Sequence, residues 1–249
     1  MRLANKVAIV TGAGGGFGEG IAKRFAREGA KVAVVDIRGE AAERVAAAIG
    51  PDALPVTADV GAAADVSRVV EETTARFGTP TILINNAGVT HRNRPVLEVD
   101  EDAFDWMFRV NVKSIFLFVR AVALLMRDAG GGVILNVGST AGLRPRPGLT
   151  WYNASKGAVN LASKSLALEF APWRIRVNAL CPVMGETGLL EAFMGVPDTP
   201  ENRARFLATI PLGRMSRAQD IANAALFLAS DEAEFITGVE LPIDGGRTV

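Results

Sequence analysis

Cysteine, tyrosine and histidine are nearly absent from this sequence, which has one residue of each among 249. The lone cysteine, Cys181, has no partner for an internal disulfide, so a reducing, cytoplasmic environment is expected. Charge of either sign is not in excess, because 27 Lys and Arg residues balance 27 Asp and Glu residues. Without a net field the chain is not expected to bind nucleic acid or an anionic membrane. No apolar run is long enough to cross a bilayer, and no secretory signal is expected.

Hydrophobic residues, by contrast, make up 49% of the chain, which is enough for a large buried core and excludes disorder. Short apolar runs alternate with amphipathic segments along the whole length. About seven of these runs are predicted strands, near residues 7–10, 32–35, 54–57, 81–84, 133–137, 174–180 and 239–243. Because the runs are apolar throughout and separated by helices, they predict a doubly wound parallel α/β sheet of the Rossmann type, covered on both faces in three αβα layers.

A glycine-rich turn follows the first predicted strand, with Gly12, Gly14, Gly15, Gly16, Phe17 and Gly18. The literal G-x-G-x-x-G pattern fails, since Phe17 occupies the third glycine position. Glycines at a strand-to-helix turn still let the backbone approach a pyrophosphate, and the helix N-terminus supplies free N–H groups. The position of the turn predicts a dinucleotide site.

An acidic residue, Asp36, ends the second predicted strand about 20 residues further on, where a carboxylate can accept hydrogen bonds from ribose hydroxyls. The same carboxylate would repel a 2′-phosphate, so NAD is preferred over NADP. Two alternatives stay open: Asp36 could cap the next helix, and Arg38 could turn toward a phosphate.

Several motifs occur in a fixed order along the chain: Thr11-Gly12-x-x-x-Gly16-x-Gly18, Asn85-Asn86-Ala87-Gly88, Asn111, Ser139, Tyr152-x-x-x-Lys156, Pro211-Leu212-Gly213-Arg214 and Asp244-Gly245-Gly246. Together they resemble the single-domain branch of the short-chain dehydrogenase/reductase family over essentially the whole chain. The resemblance implies one NAD(P)-binding domain over residues 1–249, with strand order 3-2-1-4-5-6-7. It also implies hydride transfer between an alcohol and a carbonyl, and a homotetramer formed through the two long central helices.

The resemblance also implies which residues hold the cofactor. Besides the glycine-rich turn and Asp36, they are Ile37, Asp59, Val60, Asn86, Ala87, Gly88, Tyr152, Lys156, Pro182, Val183 and Thr187. At residue 183 the chain departs from the family's usual Pro-Gly, and a valine does not reach positive φ cheaply. The path of the following segment is therefore expected to differ.

Tyr152 and Lys156 lie four residues apart on a predicted helix and share a face, so an ammonium could lower the pKa of the phenol. By resemblance, Tyr152 is the general acid/base and Lys156 also holds the nicotinamide ribose. Ser139 would donate to the substrate oxygen. Asn111, a poor helix former, predicts a local helix distortion and is the family's proton-relay residue. Taken singly, each of these has a plain structural alternative.

Five basic side chains follow two neighbouring central strands: His91, Arg92, Arg94, Arg144 and Arg146. We expect both loops to flank one pocket, and because arginine captures oxyanions well, we hypothesise an anionic substrate. Solvated loop charge is the alternative. Residues 183–212 correspond to the family's substrate lid, with Met184 and Phe193 on its apolar face. The segments 90–93, 185–187 and 193–195 resemble a subgroup acting on benzylic alcohols that bear an anionic group.

Two further functions stay open at this point. A 3-oxoacyl-[acyl-carrier-protein] reductase would fit the basic side chains, although Asp36 argues against its usual NADPH. A dinucleotide-binding sensor without activity would keep the fold, but the intact set of Asn111, Ser139, Tyr152 and Lys156 argues against it. NADH binding followed by a turnover screen would separate the three.

Overall fold

A computed structural model describes residues 1–186 and 188–249. Its seven strands are Val7–Thr11 (β1), Lys31–Asp36 (β2), Ala53–Thr57 (β3), Ile82–Asn85 (β4), Gly132–Val137 (β5), Ile175–Pro182 (β6) and Glu240–Ile243 (β7). All pairings are parallel, and the strand order is β3-β2-β1-β4-β5-β6-β7. The predicted Rossmann-type sheet and its order are confirmed.

The described part of the chain has nine α-helices. They are Gly16–Arg27 (α1), Gly39–Ile49 (α2), Ala63–Phe77 (α3), Glu101–Phe108 (α4), Ser114–Asp128 (α5), Thr150–Phe170 (α6), Leu190–Met194 (α7), Pro200–Leu207 (α8) and Ala218–Ala229 (α9). Helices α1, α2 and α9 pack on one face of the sheet, while α3, α5 and α6 pack on the other.

The alternating direction of side chains along β1 explains why an apolar core forms on each face of the sheet. Ala8 and Val10 face the α1 layer, whereas Ile9 faces the α3 layer, and all three are fully buried. Successive side chains of a strand point to opposite faces, so an entirely apolar strand requires a cover on each side. The predicted three-layer arrangement is therefore a direct result of the strand composition.

The predicted long helix over residues 101–126 is interrupted. Helix α4 is capped by Asp100, whose side chain accepts a hydrogen bond from the Ala103 amide. A π-helical turn, Arg109–Lys113, then leads into α5. Such wide turns are rare in helices overall, but those that occur are often found at functional sites. Asn111 lies within this turn, so the local distortion predicted from that residue is present.

Residues 183–212 contain more structure than the irregular segment predicted from their composition. Helix α7 ends at Gly195, which has a φ of +73°. The Thr199 side chain caps α8 by accepting from the Asn202 amide, and Pro200 takes its first position. Val183 does not adopt positive φ, and its amide donates to the Ile243 carbonyl, which extends β6 by one contact.

Among the described residues, no helix is both long and apolar enough to cross a membrane.

Candidate active site

A cavity of about 680 Å³ lies at the carboxyl ends of the central strands. One end is bordered by the glycine-rich turn and Asp36, and the other by Ser139 and Tyr152. The predicted cofactor residues that line it are Gly12, Gly14, Gly15, Gly16, Phe17, Asp36, Ile37, Asp59, Val60, Asn86, Ala87, Gly88, Tyr152, Lys156, Pro182 and Val183. Thr187, the remaining nicotinamide contact in the prediction, lies outside the described residues.

Gly18 is part of the predicted site but does not line the cavity. A Cβ at this position would lie 2.2 Å from the Gly12 carbonyl oxygen. Gly12 and Gly16 themselves have φ values of +61° and +55°, a region that disfavours side chains. Gly18 therefore shapes the turn from behind, by letting α1 approach it closely.

Asp36 fastens the glycine-rich turn to β2. Its Oδ2 accepts from the Gly14 amide at 2.9 Å and its Oδ1 accepts from the Arg38 amide at 3.0 Å. The carboxylate is buried but borders the cavity, and a carboxylate has lone pairs for further donors. The arrangement fits a ribose with two adjacent hydroxyls. Arg38 is 69% exposed and its Nε lies 3.4 Å from Asp36 Oδ1, so that its charge is directed to the carboxylate.

Asn86 and Asp59 are held mainly by the protein itself. The Asn86 side chain donates to the carbonyls of Thr11 and Gly12 at 2.8 and 3.1 Å, which is the loop-stabilising role that amides commonly take. The Asp59 carboxylate pairs with the Arg109 guanidinium from the π-helical turn. The border of the cavity is thereby fixed before any ligand binds.

Ser139 and Tyr152 meet at the other end of the cavity. Ser139 follows β5 and Tyr152 is in the first turn of α6, and both side chains line this end of the cavity. Burial raises the pKa of Tyr152 to about 12, against the lowering effects of Ser139 and the Arg146 charge. The prediction that Lys156 lowers this pKa is wrong for the protein chain, because the effect of burial is larger and Lys156 makes no resolved contribution.

Lys156 is buried one turn further along α6, and its Nζ donates to the Val137 carbonyl at 2.7 Å. A Cβ on Gly88 would lie 3.3 Å from Lys156 Nζ and 3.5 Å from Asn111 Oδ1. The small residue at position 88 therefore leaves space at which both polar side chains converge.

Asn111 does not line the cavity but connects three elements around it. Its Oδ1 accepts from the Val89 amide at 2.8 Å, and its Nδ2 donates to the Val89 carbonyl and to Ser155 Oγ, both at 3.0 Å. The π-helical turn is thus joined to the loop after β4 and to α6.

Burial of Lys156 makes the stability of the protein depend on pH. Burial lowers its pKa from 10.5 to about 8, so in the unfolded chain the ammonium persists to higher pH than in the native state. The destabilising effect is complete below pH 8 and is relieved as the pH rises toward 10.5. Relative to Lys156→Met, we expect the wild-type free energy of unfolding to rise by on the order of 1–3 kcal/mol from pH 7.5 to 10.

Chemical denaturation of the unliganded pair of proteins at several pH values measures this difference. Cys181 and Tyr152, whose pKa values burial raises to about 12, are present in both proteins, so their contribution largely cancels. A difference that stays constant from pH 7.5 to 10 would contradict the prediction.

The five predicted basic residues do not share one pocket. Arg144 and Arg146 line the cavity, as do Met184 and Phe193, whose ring centroid lies 5.0 Å from that of Tyr152. His91, Arg92 and Arg94 do not line this cavity. The two loops leave neighbouring strands as expected, but the first one turns toward α7.

The loop at residues 91–94 binds other loops instead. The Arg92 guanidinium donates to the Gly195 carbonyl at 3.1 Å, and the buried His91 ring lies 2.8 Å from the Arg92 carbonyl through Nδ1. The Asn93 amide donates to the Ala192 carbonyl, and the Arg94 amide donates to the Gly148 carbonyl. The segment therefore connects α7 with the loop that precedes α6.

Several residues that line the cavity were not predicted, among them Trp106, Phe206 and Arg247. Trp106 reaches the cavity because α4 ends near it. Phe206 reaches the cavity because the segment around it forms α8. Arg247 follows β7, and its only signal in the sequence is a basic residue placed after the last strand. The backbone on both sides of Arg247 is held by the buried Asp244 carboxylate, which accepts from the Gly246 and Thr248 amides.

A parallel sheet with a glycine-rich turn after β1 and a Ser-Tyr-Lys cluster after β5 defines an oxidoreductase of the Rossmann class. A family model described as enoyl-(acyl carrier protein) reductase matches residues 12–248. The chain belongs to the short-chain dehydrogenase/reductase family.

Three similar proteins cover nearly the whole chain. The 4-formylbenzenesulfonate dehydrogenase of Comamonas testosteroni is 49% identical over 100% of both chains. The 2,5-dichloro-2,5-cyclohexadiene-1,4-diol dehydrogenase of Sphingobium indicum is 42% identical over 100% of this chain and 98% of its own. A crystal structure of 3-ketoacyl-(acyl-carrier-protein) reductase from Brucella melitensis complexed with NADH is 48% identical, with a TM-score of 0.94 over 99% of this chain and 100% of its own.

Proposed function

We propose that this oxidoreductase uses NAD(H) to interconvert an alcohol and a carbonyl, with Tyr152 as general acid/base. The observation that carries the proposal is one cavity that extends from Asp36 to the Tyr152 hydroxyl. When bound, the nicotinamide supplies the hydride acceptor or donor. The chain itself orients the substrate oxygen and moves a proton at Tyr152 Oη.

The neighbouring residues have supporting roles. Ser139, which lines the cavity with Tyr152 and lowers the pKa of its phenol, would donate to the substrate oxygen and stabilise charge that develops there. Lys156 would hold the nicotinamide ribose, with its ammonium positioned by the hydrogen bond to the Val137 carbonyl. Asn111 would hold the proton-relay path at the π-helical turn, supported by its contacts with Val89 and Ser155.

The glycine-rich turn and the residues around Asp36 would bind the adenosine half and the pyrophosphate. The carboxylate of Asp36, anchored by two amides, would accept from the ribose hydroxyls and repel a 2′-phosphate. Ile37, Asp59 and Val60 would border the adenine, and Pro182, Val183 and Thr187 the nicotinamide.

We also propose that residues 183–212 act as the substrate lid of a single domain spanning residues 1–249. Met184, Phe193 and Phe206 present apolar side chains from this segment to the cavity. Closure of such a segment removes water from the reacting groups.

The proposed substrate is a benzylic alcohol or the aromatic aldehyde derived from it, bearing an anionic group. Support comes from the apolar walls at the Tyr152 end, from Arg144 and Arg146 there, and from the 49% identity to a 4-formylbenzenesulfonate dehydrogenase. Reduction of a 3-oxoacyl group on a carrier protein is the alternative, supported by the similarity to the Brucella melitensis reductase.

The experiment that tests this function is a turnover matrix of two cofactors and two substrate classes. We expect NADH to be oxidised with aromatic aldehydes, with kcat/KM at least about tenfold above that with NADPH, because the repulsion between Asp36 and a 2′-phosphate is worth at least ~1.4 kcal/mol. A preference for 3-oxoacyl thioesters would favour the alternative substrate. NADH binding without turnover of any carbonyl would support a sensor instead.

A homotetramer in the cytoplasm is proposed as the working form. Four large apolar side chains on the outer faces of α5 and α6 are at least half exposed: Phe116, Leu124, Leu161 and Leu168. Apolar surface at this density on two neighbouring helices is typical of a face that another copy covers. The free, buried thiol of Cys181 supports the cytoplasmic location.

A further inference from the structure

Charge is unevenly distributed along the described lining of the cavity. Its two carboxylates, Asp36 and Asp59, lie at the end near the glycine-rich turn. The opposite end has three arginines, Arg144, Arg146 and Arg247, and no described acidic residue in its lining. A cavity end with several cations and no counter-charge from the protein favours an anionic ligand.

Arg146 is partly buried at this end of the cavity and packs on an aromatic ring. Its guanidinium lies over the Phe206 ring, with Cζ 4.9 Å from the ring centroid. None of the ion pairs among the described residues involves it. Burial and the neighbouring charge of Arg247 both lower the pKa of Arg146, and its own charge reaches Tyr152. A cation that is desolvated without a partner gains the most from a bound oxyanion.

Arg247 reaches the same space from the C-terminal turn. Its backbone is held on both sides: the Arg247 amide donates to the Asp244 carbonyl, and Arg144 Nη1 donates to the Arg247 carbonyl at 3.1 Å. The Asp244 carboxylate accepts from the amides of Gly246 and Thr248 and from the Thr248 hydroxyl. Among the described residues Arg247 also has no ion pair.

We propose that Arg146 and Arg247 form an anion-binding subsite that holds a carboxylate or sulfonate of the substrate while its carbonyl faces Tyr152. The inference rests on the proposed function and assigns the substrate anion to two residues of different loops. Leu149 and Phe193, which line the cavity and pack with Tyr152, would contact the aromatic ring. The subsite therefore selects a small aromatic aldehyde with the anionic group on the side of the ring away from the aldehyde.

The test compares three aldehydes with NADH: benzaldehyde, 4-formylbenzoate and 4-formylbenzenesulfonate. The measured quantity is the ratio of kcat/KM for each anionic aldehyde to that for benzaldehyde, within one protein. We expect a ratio above 10 in the wild type, falling about 10- to 100-fold in Arg146→Gln and in Arg247→Gln. Arg146→Lys should fall less, because it keeps the charge but loses the planar fork.

Arg94→Gln is the matched control, because it removes the same charge outside the cavity and should leave the ratio unchanged. Two separate variants guard against one that fails to fold, and thermal unfolding identifies such a failure. A wild-type ratio near 1, or ratios in both variants equal to the wild-type ratio, would overturn the subsite. A selective loss with 3-oxoacyl thioesters instead of the aromatic anions would also overturn it.

Binding of benzenesulfonate, measured by calorimetry, separates the subsite from the proposed function. We expect Kd to rise about tenfold or more in Arg146→Gln. If no aldehyde is reduced but benzenesulfonate still binds through Arg146, the function is wrong and the subsite stands. If benzaldehyde is reduced and benzenesulfonate binds the variants as it binds the wild type, the function stands and the subsite is wrong.

Discussion

Tyr152→Phe is expected to lower kcat by about 10²- to 10⁴-fold, which is the usual contribution of a positioned general acid or base. The substitution removes one hydroxyl and keeps the ring that packs edge-on against Phe193 with centroids 5.0 Å apart. The wall of the cavity is therefore preserved, while the proton donor to the substrate oxygen is lost. Steady-state rates with NADH and the best aldehyde of the turnover matrix measure the effect.

Cofactor binding and folding are the controls for this variant. The contacts of Asp36 with the glycine-rich turn lie at the other end of the cavity. The Kd for NADH should therefore change by less than about threefold, which is a smaller free-energy change than the ~1.4 kcal/mol of a tenfold change. A variant that keeps kcat within tenfold of the wild type, with unchanged cofactor affinity, would refute the assignment of Tyr152.

Gly18→Ala should be the most destabilising single-methyl change in the glycine-rich turn. The added Cβ would lie 2.2 Å from the Gly12 carbonyl oxygen and 2.5 Å from Asn86 Nδ2, both held within a hydrogen-bonded loop. Neither neighbour can move without breaking the contact between α1 and the turn. We expect a loss of at least about 2 kcal/mol, equivalent to roughly 4–8 °C in Tm, and weaker NADH binding.

Gly15→Ala provides the matched comparison for stability. Its Cβ would meet one atom within 4 Å, the Arg38 guanidinium at 3.7 Å, and its φ of −175° suits any residue. The free energy of unfolding should change by no more than about 0.5 kcal/mol. Thermal and denaturant unfolding of both variants measures the difference, and equal effects would show that the close packing behind Gly18 is not what stabilises the turn.

The sheet and the main parts of the candidate site could be predicted because they depend on local patterns. Apolar runs separated by helices fix the parallel sheet, and the carboxyl ends of its strands then bring Gly12, Asp36 and Ser139 to one edge. The spacing of four residues on α6 places Tyr152 and Lys156 on one face. These steps require only the periodicity of strands and helices.

What could not be predicted depends on the packing of distant segments. Arg144 and Arg247 are 103 residues apart and meet because β5 and β7, the strands that precede them, end at the same edge of the sheet. The direction of the Tyr152 pKa shift depends on how far α6 and its neighbours exclude water, which spacing alone does not define. The loop at residues 91–94 turns away from the cavity because it donates to the carbonyls of Ala192 and Gly195, and the sequence has no signature for these contacts.

The π-helical turn at Arg109–Lys113 lies between two helices, α4 and α5, that pack against different parts of the protein. Before it, Met107 of α4 packs in the small cluster with Tyr152; after it, Phe118 of α5 packs against the sheet. Each residue of an α-helix advances by about 100°, so the extra residue of a π turn offsets the two apolar stripes by that angle. Shortening the chain by one residue here would realign the stripes, turning one of the two helices away from its partner.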